Sequence, residues 1–105
     1  MIDVTELKLA LRDFADARDW EKFHSPKNLV MAMSVEMAEL MEHFEWMTED
    51  ESLKLDETTR DLVAMEMADV LIYLVRMADR CDVDLDQAVD KKLALNAEKY
   101  PVACL

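Results

Sequence analysis

Leu29-Val-Met-Ala-Met-Ser-Val-Glu-Met-Ala-Glu-Leu-Met41 and Leu62-Val-Ala-Met-Glu-Met-Ala-Asp-Val-Leu-Ile-Tyr-Leu-Val75 are the two stretches that decide the fold. Each is apolar on most sides of a helix and carries one acidic pair, Glu36 with Glu39 and Glu66 with Asp69. The i, i+3 spacing projects both carboxylates of a pair from one helical face, about a turn apart. A carboxylate among Met, Leu and Val is expensive to desolvate unless a cation or strong donors meet it. Four of them, from two helices, form an all-oxygen set suited to a hard divalent cation, Mg2+ first and Mn2+ as a substitute. The plainer alternative is a solvated or salt-bridged surface stripe, which describes most Glu residues. The apolar neighbours on both helices argue for the metal site.

Working outward, cap signals divide the chain into four helices. Asp3 followed by Glu6 resembles a capping box, and Val4, Leu7, Leu11 and Phe14 follow at helical spacing, predicting a first helix over about 4–18. An aromatic-rich connection with Trp20, Phe23 and His24 leads to Ser25, which caps a second helix with Pro26 at its first position. This helix is expected to reach about Trp46. The acidic stretch 47–58 reads as a surface connection with room for one helical turn. Thr58 with Asp61 opens the third helix, to about Cys81, and Asp84 with Gln87 opens a fourth over about 85–99. Pro101 prevents further regular helix. The expectation is an all-α, four-helix bundle forming a single domain over 1–105, with the two acidic helices long and central.

Those two central helices are apolar on too many faces for one small core, so a homodimer or homotetramer is expected. The chain of 105 residues has no Gly, which excludes a P-loop, a Rossmann fingerprint and a nucleophile elbow. A net charge of −12 argues against a nucleic-acid polymer as partner, because phosphate-backbone affinity rests on Lys and Arg. It is compatible with a small phosphorylated ligand neutralised locally by Mg2+. Cys81 and Cys104 suggest free thiols in a reducing compartment. The N-terminal residues lack a signal-peptide pattern and the longest apolar run, 70–75, is far too short to span a bilayer, so a cytoplasmic protein without a membrane partner is expected.

Carboxylate bundles also hold di-iron centres, built on two Glu-x-x-His tetrapeptides and two further Glu. Glu21-Lys-Phe-His24 fits that pattern once, but Leu40 stands three residues before His43, so the second copy is absent. Glu36-x-x-Glu39 followed 27 positions later by Glu66-x-x-Asp69 resembles the defining motif of the all-α nucleoside triphosphate pyrophosphohydrolases, the MazG-like superfamily. Arg18-Asp-Trp-Glu-Lys-Phe-His-Ser-Pro-Lys-Asn-Leu29, Glu45-Trp46, Asp69-Val-Leu-Ile-Tyr-Leu74 and Asn96-Ala-Glu-Lys-Tyr-Pro101 are similar to its dCTP pyrophosphatase branch. The resemblance implies hydrolysis of a nucleoside triphosphate to the monophosphate and pyrophosphate in an oligomer.

Candidate roles follow. Glu36, Glu39, Glu66 and Asp69 are the metal and catalytic candidates; Glu39 is the choice for a carboxylate left to take the proton of the attacking water. Lys92, Asn96 and Tyr100 share one face of the fourth helix at i, i+4, i+8 spacing, and the resemblance implies that these, with Tyr73, contact the nucleotide. A polar outer face explains the same spacing. Lys27 and Lys99 are further phosphate candidates. Trp20, His24 and Trp46 offer flat faces for a base, although Trp also commonly anchors helix ends. A non-catalytic helical interaction or regulatory module remains the alternative to the enzyme.

Overall fold

The computed structural model describes residues 2–103, so Cys104 lies outside the described residues. The chain is all-α. Its elements are α1 (Val4–Ala17), a 3-10 turn (Glu21–Phe23), α2 (Pro26–Glu42), the short α3 (Glu49–Ser52), α4 (Glu57–Arg80) and α5 (Leu85–Lys99). The four long helices correspond to the four predicted ones, and the acidic pairs lie on α2 and α4.

Helix starts follow side-chain capping, which satisfies amides that the first turn leaves without intrahelical partners. Asp3 accepts from the Glu6 N–H, Ser25 from Asn28 with Pro26 next to it, and Asp84 from Gln87. The reciprocal capping box occurs at Thr48 and Glu51, inside the stretch read as a connection. There each side chain takes the other's backbone N–H, at 3.1 and 3.0 Å. Two boundaries differ from the sequence reading. Helix α4 opens at Glu57 because Asp56, two residues before Thr58, accepts from Thr59 N–H at 2.7 Å. Helix α2 stops at Glu42, short of Trp46, because His43 and Phe44 bond back three residues to Leu40 and Met41. Such tightened turns close a helix end by satisfying its last carbonyls.

With no glycine available, two helix ends place aspartate in the left-handed region, Asp19 at φ 54° and Asp82 at φ 56°. Both sit in the same motif. After α1, Trp20 N–H bonds to Ala15 O and Asp19 N–H to Asp16 O; after α4, Val83 bonds to Ala78 and Asp82 to Asp79. These are Schellman pairs, whose following residue packs back onto the helix. At the first, that residue is Trp20, and its ring meets Phe14 edge-on with centroids 5.6 Å apart.

Helix α4 is the hub, packed extensively against α2 and less so against α1. The buried apolar residues are few: Ala15, Leu29, Val63, Val75 and Ala78. Helix α5 buries none of its residues. Val35, Met37 and Met41 on α2, Leu62, Met65 and Met67 on α4, and Val89, Leu93 and Leu95 on α5 all lie exposed. The chain exposes 8533 Å², against about 6,000 Å² for a compact monomer of its mass. Its radius of gyration is 17.1 Å, against about 13 Å for a compact chain of this length.

Left-handed aspartate carries strain that glycine does not, partly offset by glycine's greater freedom when unfolded. Asp82→Gly is therefore expected to stabilise the protein by up to about 1 kcal/mol, a few degrees in thermal midpoint, and Asp82→Val to destabilise it. Thermal unfolding of the three proteins at one concentration checks this; equal midpoints would contradict it.

Candidate active site

The packing of α2 against α4 brings three of the four predicted carboxylates together. Oxygens of Glu36, Glu39 and Glu66 all lie within 4.8 Å of one another. Glu36 and Glu66 are half-buried, Glu39 is exposed, and Oε2 of both Glu36 and Glu66 is buried with no hydrogen-bond partner among the described residues. None of the four carboxylates joins an ion pair there, since the pairs are Arg12–Asp79, Lys22–Asp19, Arg76–Asp79 and Arg80–Glu21. Burial, then the neighbouring Glu39 carboxyl, then Asp69 and Glu66, push the Glu36 pKa up from 4.5 to about 7. Asp69 is the exposed fourth member, standing outside the close trio. Orphaned buried oxygens and converging like charges fit a hard divalent cation, which would supply the missing positive partner.

Beside this cluster lies a cavity of about 280 Å³. Its walls are mostly apolar, from Leu11, Phe14, Ala15, Trp20 and Ile72, with His24, Asp69, Tyr73 and Arg76 as its polar lining. Asp69 thus belongs both to the carboxylate group and to the cavity wall. The volume is at the small end for ligand pockets, enough for one aromatic base and too small for a whole nucleotide. The Trp20 and His24 rings meet at 60° with centroids 5.9 Å apart.

The connection carrying these rings is held from α4. Arg80 donates Nε to the His24 carbonyl at 3.0 Å and Nη1 to Glu21 at 2.6 Å. Arg76, buried at 4 % exposure, donates Nε to His24 Nδ1 at 3.2 Å and Nη1 to Asp79 at 3.2 Å. Asp79 also receives two bonds from Arg12, which hold its carboxyl well below the usual range. Burial, then the charges of Arg76 and Arg80, lower the His24 pKa.

The other predicted site residues are not brought to this cavity within one chain. Trp46 is 89 % exposed beyond the end of α2, and Lys27 is exposed in the first turn of that helix. Lys92, Lys99 and Tyr100 are exposed on or after α5 and Asn96 is half-buried; none lines the cavity. The physical reason is that, among the described residues, α5 has no extensive packing against another helix and buries none of its own side chains. Sequence reasoning missed the apolar wall residues Leu11, Phe14, Ala15 and Ile72 and, among the polar lining, Arg76. The Arg76 signal was present: it continues the 3–4 spacing Glu66, Asp69, Tyr73 along the helix and stands i, i+3 from Asp79.

The Glu36 shift has a thermal consequence. A carboxyl held above its unfolded value binds its proton more tightly when folded, so its stabilisation is full below 4.5 and is lost as pH rises to about 7. Without divalent cations, the parent should lose melting temperature across that window relative to Glu36→Gln, whose amide does not titrate. His24 and Asp79 are common to both proteins and cancel in the difference. Parallel stability curves would contradict the assignment.

The chain is similar to known proteins. A model of the MazG-like family matches residues 31–104. dCTP pyrophosphatase 1 of Mus musculus is 46% identical over 92 residues, covering 86% of this chain and 54% of the mouse protein. The Homo sapiens protein of the same name is 46% identical over 91 residues, 85% of this chain and 54% of its own. The chain therefore spans about half the length of the curated relatives it matches. The crystal structure of a pyrophosphatase from Archaeoglobus fulgidus DSM 4304 superposes with a TM-score of 0.87 at 42% identity, covering 93% of this chain and 92% of that one. With the family model matching well over half of its length and two relatives at this identity, the chain belongs to the MazG-like family.

Proposed function

We propose that residues 1–105 act as one domain that hydrolyses (deoxy)nucleoside triphosphates to the monophosphate and pyrophosphate with Mg2+, Mn2+ serving as a substitute. The observation that carries the reading is the junction at Asp69, where a donorless carboxylate cluster adjoins an aromatic cavity of base size. Such a junction suits a ligand with a flat ring at one end and a polyphosphate at the other. Glu36, Glu39, Glu66 and Asp69 would hold the metal, and Trp20 and His24 the base. Bound Mg2+ would screen the charge on the phosphate oxygens and make water easier to deprotonate. Glu39, the exposed member of the trio, is the carboxylate freest to accept the proton of the attacking water. The trio lacks the His ligands of a di-iron centre: His24 lines the neighbouring cavity and Glu21 is paired with Arg80.

Tyr73 completes the cavity wall on the sugar side, and Lys27 and Lys99 serve the phosphates. Lys92, Asn96 and Tyr100 would reach the site from the α5 of a second copy, with Trp46 closing over the base. Support comes from the excess exposed area, about 2,500 Å² per chain, which is the scale of an obligate homodimer interface. The cytoplasm, which supplies nucleotides and keeps the exposed Cys81 reduced, is the compartment that suits the chemistry. The similarity to dCTP pyrophosphatases favours a pyrimidine deoxynucleotide, dCTP first, and a role in clearing surplus or non-standard nucleotides.

Incubation with Mg2+ and a dNTP panel should give monophosphate and pyrophosphate, dCTP being the best substrate. Orthophosphate with a diphosphate would point to a phosphatase instead, and no turnover of any nucleotide would favour a binding module. Glu66→Gln should reduce the rate by about a hundredfold or more while leaving the helical content intact, and Mg2+ should raise the melting temperature of the parent more than that of the variant. Sedimentation at micromolar concentration should give a dimer or larger; a stable monomer would contradict the shared site.

A further inference from the structure

The mechanism proposed above leaves Arg76 without a task, although it is the most deeply buried charged side chain described. Its Nη2 has no acceptor among the described residues, an arrangement that does not serve stability. Its Nε and Nη1 each have a partner. Nη1 is tied to Asp79, which Arg12 holds in turn at 2.6 and 3.1 Å, and Nε faces the Nδ1 of His24. Arginine stays charged and offers donors alone. The ring nitrogen that meets its Nε must therefore present a lone pair. A neutral imidazole has one such nitrogen and one N–H, so the proton of His24 sits on Nε2. Doubly protonated imidazole would set an N–H against the guanidinium N–H and lose the bond. Arg80, bonded to the His24 carbonyl, fixes the backbone from which the ring projects.

We propose that Arg76 is a positioning residue that locks His24 as the neutral Nε2–H tautomer, so that the cavity offers a fixed hydrogen-bond donor to a base bearing a carbonyl acceptor. This rests on reading the cavity as the base site. In a cavity walled mainly by Phe14, Trp20 and Ile72, one donor of fixed polarity decides much of the selection. Cytosine, uracil, thymine and guanine present ring carbonyls, whereas adenine offers ring nitrogens alone as acceptors. Nδ1 is occupied, so Nε2 is the ring nitrogen left for the ligand. Lysine could not replace Arg76, because a single ammonium does not span His24 and Asp79 with the fixed fork of a guanidinium.

The chain has two histidines, so 15N-histidine labelling gives a simple spectrum in which His43 serves as a control. Long-range 1H–15N correlation on the nucleotide-free parent is expected to show His24 with Nε2 protonated and Nδ1 bare. In Arg76→Met, a change of similar length that leaves Asp79 paired with Arg12, His24 should sample both tautomers. Proton on Nδ1 in the parent, or an unchanged His24 in the variant, would overturn the proposal. In turnover, Arg76→Met should raise KM for dCTP about tenfold, keep kcat within about threefold, and narrow the preference for dCTP over dATP. A uniform loss on both nucleotides would equally overturn it. If Arg76→Met fails to fold, the parent spectrum and Arg76→Lys, expected to lose the tautomer lock, decide the matter. A parent with the predicted tautomer but no activity on any nucleotide would leave the Arg76–His24 lock standing and remove the functional reading instead.

Discussion

Between α2 and α4, Glu36 and Glu66 each bury one carboxylate oxygen that finds no donor, with Glu39 alongside and Asp69 a turn away. Desolvation and mutual repulsion act in the same direction, and the raised pKa of Glu36 is their joint expression. A chain built for stability alone would place apolar residues or an ion pair here. The rest of the molecule is arranged around this repulsion: α4 is the long central element, α2 is packed along it, and the cavity opens where the acidic stripe of α4 meets the end of α1.

The base-sized cavity depends on a different kind of constraint. The connection between α1 and α2 has no glycine to soften it, and its course is set by Asp19 in the left-handed region and by the Schellman bonds behind it. These bring Trp20 back over Phe14. The two arginines of α4 then tie the following residues down, Arg80 through Glu21 and a carbonyl, Arg76 through an imidazole nitrogen. Side chains on a connection become as well placed as side chains on a helix because the connection is bonded to one.

Exposed apolar residues on α2, α4 and α5 are the complement of the small buried core. Apolar residues left exposed on three helices after folding are unfavourable in water. A second chain covering them would also bring the polar residues of α5 to a site that its own chain leaves open. Under the proposed function, assembly and completion of the site would be one event.

Much of this was legible from the sequence. Capping residues located the helices to within a few positions, and period and apolar context singled out the carboxylates of α2 and α4, because a helix converts i, i+3 spacing directly into a shared face. The C-terminal end of α2 and the start of α4 were not legible, since several competing caps stand within a few residues and backbone bonds of the closing turn choose among them. Tertiary structure decided which candidates meet. Trp20, His24, Asp69 and Tyr73 line one cavity, while Trp46, Lys92, Asn96 and Tyr100 lie outside it. It also supplied Arg76, whose bond to His24 spans 52 positions of sequence. Local pattern determines helices because their hydrogen bonds run four residues apart, whereas partners brought together by packing leave no periodic mark on the chain.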